Sequence, residues 1–179
     1  MRAFVARAGA VFGAGALMVS AQATPASADV PTERGVFRNK FSRQCLEVAD
    51  WSQSRGAAVR QWPCTGGLNQ RWYVRDSPDG GSGRKVVVNA NSGMCLDAPG
   101  GNWGNGSQLI QWDCNGGLNQ AWWIFHDADD NQKDVKFYSG DASNDQVMEI
   151  SNFSTANGAR AQMWEYNGGS NQLWDHLIG

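Results

Sequence analysis

Short apolar segments, separated by stretches rich in Gly, Asn and Ser, run from Val36 to the C-terminus. Helical periodicity is scarce, and many short runs end in Gly or Asn, which is the pattern of an all-β, turn-rich fold. Residues 36–39 read as a strand that ends in a turn at 39–43. Cys45-Leu46-Glu47-Val48 reads as a second strand with buried and exposed positions in alternation. Residues 57–64, carrying Val59 and Trp62, read as a third strand, Gly66-Gly67 as a turn, and residues 70–74 as a fourth strand. The same order returns after the polar stretch 77–83, as 86–89, 95–97, 109–112 and 122–125. It returns again, behind an acidic stretch at 127–131, as 147–150, 162–164 and 171–174.

The recurrence is sharpest in one stretch. Gly66-Gly67-Leu68-Asn69-Gln70-Arg71-Trp72 is matched by Gly116-Gly117-Leu118-Asn119-Gln120-Ala121-Trp122 and by Gly168-Gly169-Ser170-Asn171-Gln172-Leu173-Trp174. Three copies at a near-constant period mean three copies of one supersecondary unit, none of which can bury a core alone. Repeats of about 35–80, 81–130 and 131–179 follow. Closure around a common axis points Trp72, Trp122 and Trp174 inward and removes the free sheet edges.

Composition and charge narrow the class. Arg2 and Arg7 precede an apolar, uncharged run at 8–19, and Ala26-Ser27-Ala28 is a small-x-small cleavage signature, the plan of a secretory signal peptide over residues 1–28. The run is short of the roughly 20 apolar residues a bilayer-spanning helix needs, so no membrane insertion is expected of residues 29–179. The net charge of −2 becomes more negative once Arg2 and Arg7 are removed, and no basic run exists, so nucleic acid is not an expected partner. Nine Trp and 22 Gly fit a turn-rich chain with aromatic binding or core residues. The four cysteines form two pairs with the same spacing, Cys45 with Cys64 and Cys95 with Cys114, each at the same place in its repeat. In an exported protein this spacing reads as two disulfides within repeats, each worth about 3 kcal/mol in the chain-entropy account. Zinc is disfavoured because no His accompanies the cysteines. Val147 and Tyr166 stand in the third copy, where an apolar pair is expected to replace the staple. Nothing in the sequence calls for a metal or cofactor.

With its three Gln-x-Trp motifs, its Cys-Leu-Asp/Glu elements and its second cysteines in register, the chain resembles the ricin-type lectin repeat from Val36 to the C-terminus. The relatives it suggests are the sugar-binding modules of secreted actinobacterial glycosidases and stand-alone lectins. That resemblance implies a β-trefoil of three four-stranded repeats with pseudo-threefold symmetry, formed by a six-stranded barrel capped by three hairpins. It also implies up to three shallow sugar pockets. A sugar pocket needs a flat ring for the C–H face and fixed polar groups for the hydroxyls. The resemblance assigns those roles to a carboxylate, a stacking Trp, a donating Asn and a steadying Gln. These are Asp97, Trp112, Asn119 and Gln120 in repeat two, Glu149, Trp164, Asn171 and Gln172 in repeat three, and Glu47, Trp62, Asn69 and Gln70 in repeat one. Only repeat two keeps Asp. The extra methylene of Glu47 and Glu149 displaces the acceptor, and hydrogen bonds tolerate that poorly, so repeat two ranks first, repeat three second and repeat one third. Gln61 and Gln111 stand where an aliphatic core residue is expected, which leaves the facing of Trp62 and Trp112 open. Gln70, Gln120 and Gln172 have a structural role as well as a binding one, and Asn69, Asn119 and Asn171 suit the turn after Gly-Gly. Trp51 and Trp103 fall in loops, and His126 and His176 read as surface residues.

The expectation is a secreted, extracellular, non-enzymatic carbohydrate-binding lectin, monomeric, with a polysaccharide or cell-surface glycan of galactose, xylose or arabinose type as partner. A single shallow pocket binds at about millimolar affinity, and several on one body gain about 10²–10⁴ in avidity. A β-trefoil protease inhibitor is the alternative from another class; it needs one exposed loop residue such as Arg55 or Arg84, and no repeated Asp/Glu–Trp–Asn set. A hydrolase would need paired carboxylates in one cleft, whereas these recur one per repeat.

Overall fold

The computed structural model of the protein describes residues 33–78, 83–126, 134–141, 143 and 145–178; the expected signal peptide lies outside them. Twelve strands follow in order: β1 (Glu33–Asn39), β2 (Cys45–Val48), β3 (Val59–Trp62), β4 (Trp72–Asp76), β5 (Arg84–Asn89), β6 (Cys95–Asp97), β7 (Ile110–Trp112), β8 (Trp122–His126), β9 (Asp134–Ser139), β10 (Gln146–Ile150), β11 (Ala161–Glu165) and β12 (Trp174–Ile178). Antiparallel pairing of β1 with β4, β4 with β5, β5 with β8, β8 with β9, β9 with β12 and β12 with β1 closes a six-stranded barrel. The other six strands form three hairpins, β2–β3, β6–β7 and β10–β11. Single bridges join the hairpins head to tail, Ala58 to Ile110, Gln108 to Gln162 and Arg160 to Arg60. This cyclic order is the pseudo-threefold symmetry of a β-trefoil.

Trp72, Trp122 and Trp174 are fully buried. Each indole N–H donates to the carbonyl of the middle residue of Cys-Leu-Asp/Glu or its equivalent: Leu46 at 3.0 Å, Leu96 at 3.2 Å and Met148 at 3.4 Å. The last strand of each repeat is thereby tied to that repeat's own hairpin, and the indoles join Phe37, Val87 and Phe137 in one core. Truncating a buried Trp of this kind costs about 3–5 kcal/mol. The disulfides Cys45–Cys64 and Cys95–Cys114 are both formed.

Several expectations need correction. The strand at 45–48 does not alternate: all four of its residues are buried. Leu46 and Val48 face the core, while Glu47 is covered from the other side by the Asn69-Gln70 turn. Gln70 belongs to that 3-10 turn, Leu68–Gln70, and not to the fourth strand. In repeat three Val147 is buried, but Tyr166 is 36% exposed and lies against Tyr138. Tyr166 is therefore a surface ring and not the inner half of an apolar staple. Trp103 does lie in a loop, and from there it packs edge-on against Trp122 at 5.5 Å, at the core margin. His176 is half-buried and stacks on Phe37 at 4.6 Å.

Candidate functional site

Each repeat builds the same scaffold under its carboxylate. A 3-10 turn after Gly-Gly, closed in repeat one by the Gln70 N–H on the Gly67 carbonyl at 3.0 Å, presents Asn and Gln side by side. The Gln Nε2 donates to the carboxylate and to a carbonyl at the hairpin end, Pro63, Asp113 or Glu165, at 2.8–2.9 Å. Its Oε1 accepts the backbone N–H of Thr65, Asn115 or Asn167, at 2.8–2.9 Å. Gln70, Gln120 and Gln172 are all fully buried. They hold the carboxylate from beneath and reach no surface ligand.

Above that scaffold the repeats diverge. In repeat one, Glu47 Oε2 accepts from Asn69 at 3.1 Å and Gln70 at 3.2 Å, and Oε1 accepts from Arg60 Nε at 3.0 Å. The Arg60 guanidinium also reaches Asp50 at 2.8 Å and lies 4.7 Å over the Trp62 ring. Desolvation lowers the Arg60 pKa, and its bonds to Glu47 and Asp50 more than offset this, leaving the group above its ordinary value. Repeat one thus fills its own pocket with a cation stacked on the Trp62 ring. In repeat three, Glu149 Oε2 accepts from Asn171 and Gln172, and Oε1 accepts from Gln162 at 2.9 Å. Asn69 and Asn171 are 2% and 1% exposed and donate a second bond inward, to the Val48 and Ile150 carbonyls.

Repeat two differs at each of these points. Asp97 Oδ2 accepts from Asn119 at 2.7 Å and Gln120 at 2.8 Å, and Oδ1 has no hydrogen-bond partner among the described residues. Ile110, at the position of Arg60 and Gln162, has nothing to donate. Asn119 is half-buried and makes no inward bond like those of Asn69 and Asn171. Trp112 is 39% exposed, against half-buried Trp62 and Trp164. Asp97, Gly100, Ile110, Trp112 and Asn119 line a cavity of about 240 Å³. Burial raises the Asp97 pKa, and the bonds from Gln120 and Asn119 offset that in part.

The turn after the second strand sharpens the contrast. Its two central residues are left-handed in every repeat: Asp50 and Trp51 (φ 54° and 56°), Gly100 and Gly101 (65° and 70°), Asn152 and Phe153 (55° and 49°). Glycine adopts this region freely and aromatic residues do so under strain. In repeats one and three the strained residue sets its ring on the Gly-Gly corner: a Cβ built on Gly67 would lie 2.6 Å from Trp51, and one on Gly169 would lie 2.7 Å from Phe153. In repeat two Gly101 leaves that corner uncovered.

The facing left open by the sequence is resolved. Gln61 and Gln111 are fully buried, and Trp62 and Trp112 face outward. Each Gln Oε1 accepts a hydrogen bond from a hydroxyl of its own repeat, Ser42 at 2.6 Å or Ser92 at 2.7 Å. Each also donates to two carbonyls of a neighbouring repeat, Ser154 and Ala156 for Gln61, and Ser52 and Ser54 for Gln111. Sequence reasoning passed over position 60/110/162 and the pair 50–51/100–101/152–153. The available signal was the loss of every polar group at Ile110 together with Gly-Gly at 100–101.

The family model described as ricin-type beta-trefoil lectin domain-like matches residues 27–84 and 77–164. The chain belongs to this family. Among solved structures it is similar to the designed threefold-symmetric protein ThreeFoil, with 30% identity and a TM-score of 0.73 over 80% of this chain and 97% of that one. It is also similar to an exo-beta-1,3-galactanase from Clostridium thermocellum, with 34% identity and a TM-score of 0.75 over 83% of this chain. That match spans only 30% of the galactanase. A ricin B-like lectin from Macrolepiota procera, in complex with lactose, shares the fold at 17% identity and a TM-score of 0.67, over 82% of this chain and 96% of that one.

Proposed function

We propose that the protein is a secreted, extracellular carbohydrate-binding lectin that acts by binding alone, with its principal site in repeat two. Asp97 Oδ1 accepts a hydrogen bond from one sugar hydroxyl, the outer face of Asn119 serves a neighbouring hydroxyl, and Trp112 stacks on the C–H face. The observation that carries this reading is the unengaged Oδ1 of Asp97 beside an exposed Trp112, where Arg60 and Gln162 occupy the equivalent oxygen in the other repeats. Glu149, Trp164 and Asn171 over the buried Gln172, and Glu47, Trp62 and Asn69 over the buried Gln70, are subsidiary sites, because both oxygens of each carboxylate already accept hydrogen bonds within the protein. Galactose-, xylose- and arabinose-type glycans or polysaccharides are the ligand class; similarity to part of a galactanase puts galactan first among the polymers to try. The two disulfides suit an oxidising compartment, and the protein works as a monomer with residues 29–179 as its mature domain. The inhibitor reading gains no support from Arg55, which is ion-paired with Asp113, or from Arg84, which donates to the Gly140 carbonyl at 3.1 Å.

The test is retention of the protein on insoluble galactan, xylan and arabinan, with Asp97→Ala in parallel. Loss of retention in Asp97→Ala, with melting behaviour preserved, supports the site. Retention equal to wild type removes repeat two as the main site, and no retention of the wild type on any polymer removes the lectin reading.

A further inference from the structure

The outer wall of the barrel is built three times from equivalent cross-strand pairs, and one wall departs from the other two. Where β4 meets β5, Tyr73 faces Val88 and Arg75 faces Val86. Val86, Val88 and Tyr73 pack there with Cys95 of the second disulfide. Where β12 meets β1, Asp175 faces Arg38, and the pair forms an ion bridge of 2.8 Å. Where β8 meets β9, Trp123 faces Tyr138 and Phe125 faces Lys136. Tyr166, standing where the other repeats carry Cys64 and Cys114, adds a further ring 5.7 Å from Tyr138, with the Lys136 ammonium 5.5 Å over it. Phe125 meets Tyr138 edge-on at 5.4 Å. Phe125 is 52% exposed and Tyr166 36%. A groove of about 600 Å³ runs along this wall, lined by Trp123, Phe125, Lys136, Tyr138, Asp141 and Asp145.

Barrel closure does not require a cluster of rings, because the two equivalent walls close with a single Tyr73 on aliphatic partners and with an ion pair. A cluster of exposed aromatics confined to one of three equivalent surfaces marks a binding surface. Its chemistry selects the ligand. Trp123 carries Arg84 and Tyr166 carries Lys136 on one face, each at 5.5 Å, so the rings offer their remaining faces and edges, with exposed Phe125 foremost, to the C–H patches of pyranose units, and Asp141 and Asp145 supply acceptors for hydroxyls at the rim. Bonds from the Ser143 hydroxyl and backbone N–H hold the Asp141 pKa below its ordinary value, so it accepts as a carboxylate across the neutral range. Two carboxylates repel an anionic polymer. Strand addition by a peptide has no edge to use, because β8 already pairs with β5 and β9, and β9 with β8, β10 and β12. We propose that the β8–β9 wall is a second glycan-binding surface, separate from the Asp97 pocket and shaped for a stretch of neutral polysaccharide. The proposal rests on the lectin reading and adds a site outside the three repeat pockets. With both surfaces on one rigid body, a polymer that reaches both is held with the avidity of two linked contacts.

The experiment compares wild type, Asp97→Ala, Phe125→Ala/Tyr166→Ala and the combined variant for retention on insoluble galactan, xylan and arabinan. Thermal melting and elution volume are recorded for each, and Phe125→Ala alone serves as a milder variant should the pair perturb folding. The expected result is that each change weakens retention by about 10²-fold or more and the combination abolishes it. Loss in Asp97→Ala with wild-type retention in the aromatic variants overturns the second surface and leaves the repeat-two site standing. Loss in the aromatic variants with wild-type retention in Asp97→Ala supports the second surface and overturns the repeat-two site. Failure of the wild type on all three polymers overturns both, as that result also ends the lectin reading. An aromatic variant that elutes at half the wild-type mass overturns the glycan assignment in favour of a contact between two copies of this chain.

Discussion

Repeats one and two are built from the same backbone, and they treat the same carboxylate in opposite ways. In repeat one Glu47 is caught between Arg60 on one oxygen and Asn69 with Gln70 on the other, with Trp51 laid over the corner. In repeat two Asp97 is held on one oxygen only, Ile110 withholds a donor, and Gly100-Gly101 leaves the corner bare. The difference teaches that an open carboxylate and a closed polar network are close alternatives on one scaffold. A single side chain thirteen residues from the carboxylate, opposite it in the hairpin, decides whether the polar groups satisfy one another or wait for a ligand.

The largest expected effect separates the two carboxylates. Asp97→Ala lowers glycan affinity by about 100-fold, equivalent to about 2.7 kcal/mol. Glu47→Ala leaves affinity within about twofold and instead lowers unfolding free energy by about 1–3 kcal/mol, because the donors of Asn69, Gln70 and Arg60 lose their acceptor. Calorimetric titration and urea denaturation on both variants check this; equal losses of affinity would erase the contrast.

A smaller effect comes from exchanging the deciding residue. Ile110→Arg places a guanidinium against Asp97 and over Trp112, as Arg60 sits in repeat one, and weakens binding by about tenfold, or 1.4 kcal/mol, with stability unchanged or raised. The reverse exchange, Arg60→Ile with Glu47→Asp, opens repeat one and raises the stoichiometry on a soluble oligosaccharide. Calorimetric titration of the wild type and the two variants reads both the affinity and the stoichiometry.

Acid distinguishes the pockets through Asp97. Its folded-state pKa lies above the value of 3.8 for an unperturbed Asp because burial disfavours the charged form. The folded protein therefore takes up this proton more readily than the unfolded chain. The stability cost of the charged form is fully present above the folded pKa and is relieved as pH falls through it. Binding moves the other way, since protonation removes the acceptor. Affinity is expected to fall on acidification while the stability of wild type relative to Asp97→Asn rises, both measured across the carboxylate range. A parallel fall of both would show that acid acts on the fold and not on the pocket.

The smallest effect tests the joints between repeats. Gln111 and Gln61 bind loops of neighbouring repeats, where repeat three uses the apolar Met163. Gln111→Met is expected to cost about 1 kcal/mol, the price of leaving the Ser52 and Ser54 carbonyls without that donor, and to lower binding only slightly. Urea denaturation reads the cost.

Much of this molecule was legible from local pattern. The Gly-Gly-x-Asn-Gln-x-Trp copies, the equal cysteine spacings and the short strands led to three repeats, a closed trefoil, two disulfides and Trp72, Trp122 and Trp174 in the core. The same motifs named the carboxylates, aromatics and amides that the structure brings together in each repeat, and the lone Asp singled out repeat two, whose carboxylate keeps one oxygen unengaged among the described residues. These features are legible because turn chemistry, strand alternation and loop closure act between residues close in the chain, so each repeat states them independently.

Tertiary structure decided the rest. Glu47 is buried, against the alternation of its strand, because a turn more than twenty residues away folds over it. Gln61 and Gln111 occupy core positions as polar residues because loops from other repeats bring carbonyls to them. The aromatic β8–β9 wall assembles Trp123 and Phe125 from one repeat with Tyr138 and Tyr166 from the next, and no window of sequence contains all four. Whether a polar group is free or satisfied is settled by its neighbours in space, since burial without a partner is costly and the nearest available donor closes the site. The sequence by itself determined which carboxylate, amide and ring each repeat carries; the packing of hairpin against turn determined that Asp97 is the carboxylate left open.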